Sequence, residues 1–188
     1  NNKGELKRVY YGVSNPVSAY DIAPLPAFLQ SRLSDESLED FVFELKDVKA
    51  KKDLDKLIEG WGLGCYKFDK YKTKDRKDPW PILKLPKAYK DHHVLNLLEG
   101  VYLCRDLINE PSNKLGPQEL VKEAQKLAKE FKADVNVIQD KDLLKQNYPM
   151  VYTVGDSSER RPALVQLQWG KKTHPKVTLV GKGVCFDT

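Results

Sequence analysis

The residues with the clearest chemical potential lie together at Val180-Gly-Lys-Gly-Val-Cys-Phe-Asp-Thr188. Lys182 sits between two glycines and Asp187 follows five residues later. A straight strand would point residues five apart to opposite faces. Gly181 and Gly183 permit a bend that turns both side chains toward one centre. This convergence is permitted, not required, and the spacing selects no metal. The Gly-Lys pair also invites a phosphate loop. That motif needs a spaced earlier glycine and a Ser or Thr directly after the Lys. Residues 171–180 contain no glycine and Gly183 takes the hydroxyl's place, so the phosphate loop is rejected.

Other reactive side chains give weaker signals. His92 and His93 are adjacent at an expected helix start, and His174 lies in an expected turn. None has the i, i+4 spacing of a zinc-binding helix. Surface or capping roles follow. Asp156-Ser-Ser-Glu-Arg-Arg161 is a polar loop without a base beside its serines and without Gly-x-Ser-x-Gly, so it reads as a solvated connection. Cys65, Cys104 and Cys185 are an odd set with no short pairing. They argue against a disulfide framework or a Cys-rich zinc site and fit a reducing compartment. Cys185 is expected to be a packing residue.

Positioning Lys182 requires an α/β scaffold. Val177–Val180 is expected as a strand that delivers Lys182 to the C-terminal edge of a sheet, where ligand sites of such folds lie. Ala163–Trp169 is expected as the preceding strand, joined to Lys176–Gly181 by a hairpin-length turn at 170–175. Upstream, Asp134–Ile138 alternates polar and apolar residues as a half-buried strand does. A short helix over Lys141–Gln146 follows it.

Two amphipathic helices precede that strand. Val94, Leu97, Leu98, Val101, Cys104, Leu107 and Ile108 recur at helical spacing until Pro111 stops the run. Pro117 opens another, with Leu120, Ala124, Leu127, Ala128 and Phe131 on one face. Earlier signals are mixed. Residues 1–33 are punctuated by prolines and read as loops around a short element. Ser34-Asp35-Glu36 could cap a helix, yet Phe41–Leu45 is rich in strand formers, so that stretch stays open. Asp53 to about Trp61 is expected to be a helix ended by Gly60, Gly62 and Gly64. Residues 75–91, with Pro79, Pro81 and Pro86, read as a linker with an edge strand at Ile82–Leu85. The expected domains are therefore 1–90 and 91–188.

Composition bounds the rest. The 188 residues are 40% hydrophobic and 31% charged, ordinary for a globular chain. No apolar run approaches the ~18–20 residues that cross a bilayer. The Asn-Asn-Lys start is expected to carry no secretion signal. The net charge of +5 concentrates in residues 46–90, with 14 Lys/Arg against 7 Asp/Glu. The run Lys67–Asp78 interleaves aromatic and basic residues, as a nucleic-acid contact would, though three acids dilute its field.

The motifs resemble one family in order. Val180–Thr188 is similar at nine consecutive positions to the metal-binding strand of leucyl (cytosol) aminopeptidases, V-G-K-G-(small or apolar)-x-F-D-(S/T). Arg105-Asp-Leu-Ile-Asn-Glu-Pro-Ser-Asn113 resembles the family's R-D-L-x-N-x-P-x-N, and Gly116-Pro117 follows. Tyr152–Gly155 with Ser158 and Arg161-Pro162 resembles its G-x-x-S-x-x-P-R-L, except that Ala163 stands where Arg is common. Trp61–Tyr71 is similar to an N-domain segment of shorter bacterial members, while residues 1–60 match loosely.

The resemblance implies an N-terminal α/β domain followed by the opening of an αβα-sandwich metallopeptidase domain. It implies Lys182 as an amine ligand of one metal and Asp187 as a carboxylate bridging two, with zinc or manganese as the ions. A lysine ligand must be deprotonated, which the cation's field supports. No catalytic residue beyond these ligands is expected within 1–188. Arg105, Asp106 and Asn109 are read as structural, a helix end tying the domains together. Peptides with a free N-terminus, a homohexamer and the cytoplasm complete the expectation. The alternatives are a non-enzymatic or DNA-binding module using residues 67–77, since some family members double in that role, or a degenerate relative.

Overall fold

The computed structural model describes residues 10–33, 42–73, 80–87, 89–90 and 92–185. Expectations at Ser34–Glu36, at residues 74–79 and at Asp187 lie outside the described residues. Two compact units are present, Asn1–Ile108 and Asn109–Thr188.

The first unit opens with helices α1, Ala19–Ile22, and α2, Leu25–Arg32. Here the structure corrects the expectation of loops. Pro24 and Pro26 occupy the N-cap and first turn of α2, where a missing N–H costs no helical bond. Ser18 and Asp21 cap α1 reciprocally: the Tyr20 amide donates to Ser18 Oγ at 3.3 Å and the Ser18 amide to Asp21 Oδ2 at 2.8 Å. Ser14 donates to the same Asp21 oxygen from its hydroxyl at 2.7 Å and its amide at 3.1 Å. These bonds, led by the Ser18 amide, hold the Asp21 carboxyl below its usual range.

Helix α3 spans Lys51–Gly64, running through all three glycines rather than stopping at them. Their role is close packing. A Cβ on Gly60 would meet Ile22 Cγ2 at 2.7 Å and the Ala19 backbone. One on Gly64 would meet the carbonyl carbon of Ala23 at 2.9 Å, and one on Gly62 would meet Leu98 Cδ2 at 2.9 Å. Ile22, Leu25, Leu29, Leu33, Leu57 and Trp61 form the core on one side of α3. Ile58 packs with Val94 and Leu98 on the other. The last two belong to α4, His93–Asn109, which ends before Pro111 as its sequence predicts. Strands β1, Val42–Glu44, and β2, Ile82–Lys84, pair in parallel with Phe43 opposite Leu83. Glu44 accepts from Lys84 at 2.7 Å and lies 3.1 Å from Lys46.

In the second unit, α5 covers Pro117–Phe131 as expected. Lys132, at φ 53°, closes it in the left-handed region and turns the chain into β3, Asp134–Gln139. Helix α6, Asp142–Lys145, buries Leu143 completely. Helix α7, Pro149–Gly155, was not foreseen; its Pro149 again sits in the first turn. Strand β4, Ala163–Gln168, runs antiparallel to β3, from Gln139 opposite Ala163 to Asp134 opposite Gln168. The Trp169 indole then donates to the Phe131 carbonyl at 3.1 Å, tying the end of β4 to the end of α5.

The expected third strand is absent. Residues 175–185 belong to no helix or strand, and β4 takes β3 as its partner. Val177, Leu179 and Val180 are 83%, 92% and 92% exposed. Val-Thr-Leu-Val has the residue types of a strand, but β-propensity needs a neighbouring ladder and a covering face to be realised. Among the described residues, no helix is long and apolar enough to cross a membrane.

Candidate metal-donor segment and the motifs around it

Lys182 lies in that irregular stretch, exposed, with open space around Gly181 and Gly183. Its expected partner Asp187 is outside the described residues, so no distance joins the pair. Cys185 is exposed, contrary to its expected packing role. Among the described residues, no three His, Cys, Asp or Glu side chains group as a metal centre. Of the two expected donors, only Lys182 lies among the described residues, and no second donor stands beside it there. The histidines do not add to it. His92 accepts the Asn96 amide on its carbonyl at the start of α4, and His174 closes a turn on the Lys171 carbonyl at 3.0 Å.

The upstream motifs have structural work. Arg105 donates to the Leu63 carbonyl at 3.2 Å and stacks its guanidinium 5.1 Å from the Tyr66 ring centre. Asp106 accepts the Tyr66 hydroxyl at 2.9 Å. Tyr102 packs edge-on to Tyr66 at 5.2 Å and donates to the Gly62 carbonyl. Burial pushes the Tyr102 phenol up from its usual range. Arg105 and Asp106 thus fasten α4 to the end of α3 within the first unit. At the same helix end, burial pushes the Cys65 thiol up to about 11.

In the second unit, Arg160 and Arg161 do what the sequence did not foretell. Arg160 donates from Nη1 to the Ser112 carbonyl at 2.7 Å and from Nη2 to the Asn113 carbonyl at 3.1 Å. Its Nη1 also lies 3.6 Å from Glu119 Oε2. Glu119 accepts the Gly116 amide at 3.0 Å, and that bond foremost holds its carboxyl below the usual range. Arg161 donates to the Asp156 carbonyl at 2.5 Å, with Nε at an ion-pair distance of 3.3 Å from Asp140. The Gln118 side chain reaches the Arg161 carbonyl at 2.9 Å. The solvated connection is an anchor. One signal was available: Glu119 follows Gly116 at capping-box spacing.

In the described part of the basic run, Asp69 pairs with two of the three lysines. Lys72 and Lys67 lie 2.5 and 3.1 Å from the two Asp69 oxygens, and Lys72 chiefly holds that carboxyl below its usual range. Lys70 stacks 5.6 Å from the Tyr71 ring centre.

The architecture matches solved structures. A cytosol aminopeptidase from Coxiella burnetii, solved by crystallography, superposes with a TM-score of 0.80 and 36% identity, covering 99% of this chain and 38% of that one. The bottromycin maturation enzyme BotP, solved in complex with Mn, shares the fold at a TM-score of 0.65 and 22% identity, over 83% of this chain and 34% of its own. The fold is thus that of a metallopeptidase, an N-terminal α/β domain leading into the start of an αβα-sandwich domain.

Family models agree on both parts. Residues 1–86 match the N-terminal domain of M17 aminopeptidases, and residues 102–188 match the catalytic domain of the cytosol aminopeptidase family. Probable cytosol aminopeptidases from Corynebacterium diphtheriae and Nitrobacter winogradskyi are 36% and 34% identical over 141 and 171 residues. This chain belongs to the M17 cytosol aminopeptidase family. It spans 28% and 33% of those two relatives' lengths, and they cover 70% and 82% of it.

Proposed function

We propose that the whole protein is a metal-dependent aminopeptidase that releases N-terminal residues, with a leucine-type preference, from peptides. The observation that carries this is the Val180–Thr188 motif in a chain of this family, with Lys182 and Asp187 at the donor positions. Two zinc or manganese ions per subunit, a homohexamer and the cytoplasm belong to the same proposal. So does a division into an N-terminal domain, 1–90, and the first part of a catalytic domain, 91–188. The names of the relatives and the family matches support it.

These 188 residues alone are proposed to be inactive, because two donors do not make a two-metal site. The test is hydrolysis of leucine amide by the whole protein, with and without a chelator, beside the 188-residue chain. Chelator-sensitive turnover by the whole protein alone is expected. Turnover by the short chain would contradict the second part, and an inert whole protein would contradict the first.

A DNA-binding role for residues 67–77 is weaker, since Asp69 pairs with two of the lysines it would use. Salt-dependent DNA binding, lost when Lys70, Lys72, Lys74 and Arg76 are neutralised, would favour it.

A further inference from the structure

We propose that Arg160 is a clasp that makes the loop before α5 and the segment entering β4 open and close as one unit. Two carbonyls of the first segment, those of Ser112 and Asn113, accept from its guanidinium, and the Glu119 carboxylate in the first turn of α5 lies at an ion-pair distance of 3.6 Å. The fit is also steric. A Cβ on Gly116 would lie 3.0 Å from Arg160 Cδ and closer still to its Nη1, so the glycine leaves room for the guanidinium.

Charge explains the arrangement. The N-terminus of α5 carries the positive end of the helix dipole, an unfavourable place for a cation. Glu119, drawn back onto the Gly116 amide, reverses the local field and gives Arg160 a counter-charge. The two carbonyls then use the planar fork, which a lysine ammonium lacks. The neighbouring Gln118–Arg161 bond joins the same two segments. Both segments carry motifs that resemble the family's, at 105–117 and 152–163, yet neither holds a candidate metal donor. The clasp accounts for their pairing without a role in chemistry.

The test is amide hydrogen exchange, read segment by segment, on the 188-residue chain and its Arg160→Lys and Arg160→Ala variants. Both variants should exchange about tenfold faster at residues 113–120 and at 158–164 together, as loss of a charge-assisted hydrogen bond allows. The amides of β3 and of the second half of α5 should keep their protection. A double-mutant cycle adds an independent reading. Gly116→Ala should destabilise the wild type more than it does Arg160→Ala, because truncation removes the clashing group. The proposal is overturned if Arg160→Lys keeps wild-type protection, if one segment loosens without the other, or if Gly116→Ala costs the same in both backgrounds. It is equally overturned if Arg160→Lys loses protection throughout the unit, since the clasp would then not be local.

Discussion

The Tyr102 hydroxyl of α4 donates to the Gly62 carbonyl of α3, at a point where Gly62 has no room for a side chain. The hydrogen bond and the missing Cβ serve one purpose, the close approach of two helices.

Substituting the glycines should therefore split them by environment. An exposed helical Gly→Ala stabilises by about 0.5–1 kcal/mol, and Gly100 in α4, with open space around it, should do so. Gly60→Ala meets the Ala19 backbone, which cannot swing aside, and should cost about 2–3 kcal/mol. Gly62→Ala meets the tip of Leu98 and should fall between. Urea midpoints of the three variants check the order. Equal effects would show that helix propensity, not close packing, governs these positions.

The cysteines should differ in reactivity. The thiolate is the nucleophile, and Cys65, raised to about 11, is almost wholly protonated at pH 8. Cys104 and Cys185 are exposed. Brief iodoacetamide treatment of the 188-residue chain, followed by peptide mass spectrometry, should label those two and spare Cys65 until denaturant is added. Equal labelling of all three would contradict the burial at the end of α3.

Acid should weaken the first unit through Asp21. Its folded pKa lies below the unfolded value, so its contribution is present above the ordinary carboxylate range and lost as pH falls through the depressed value. Asp21→Asn should lower the urea midpoint at pH 7, and the gap to wild type should narrow below about pH 4. A gap independent of pH would show that the charge is immaterial to the α1 cap.

What the sequence made legible follows from what each element depends on. Helices α4 and α5 and strand β3 carry their own periodicity and boundary residues, Pro111 and Pro117 among them, and appear where expected. Pro24 and Pro26 were read as loop punctuation although a proline in a first turn is compatible with helix, and Pro149 opens α7 in the same way. The α3 glycines were read as a stop because their reason lies in Ala19, Ala23 and Leu98, which no local pattern reveals. Among the described residues Val177–Val180 pairs with no strand, and Lys182 is exposed. Of the candidate site, the family was legible. Whether Lys182 and Asp187 share one centre depends on backbone that the spacing does not determine.

The central claim is that Lys182 and Asp187 hold metal in the whole protein. Its most direct test is metal content per subunit by plasma emission spectrometry, for wild type, Lys182→Ala and Asp187→Ala, with circular dichroism to confirm folding. Two zinc or manganese ions are predicted in wild type, at least one lost in Lys182→Ala, and both weakened in Asp187→Ala. Folded variants that retain the full wild-type metal complement would contradict it.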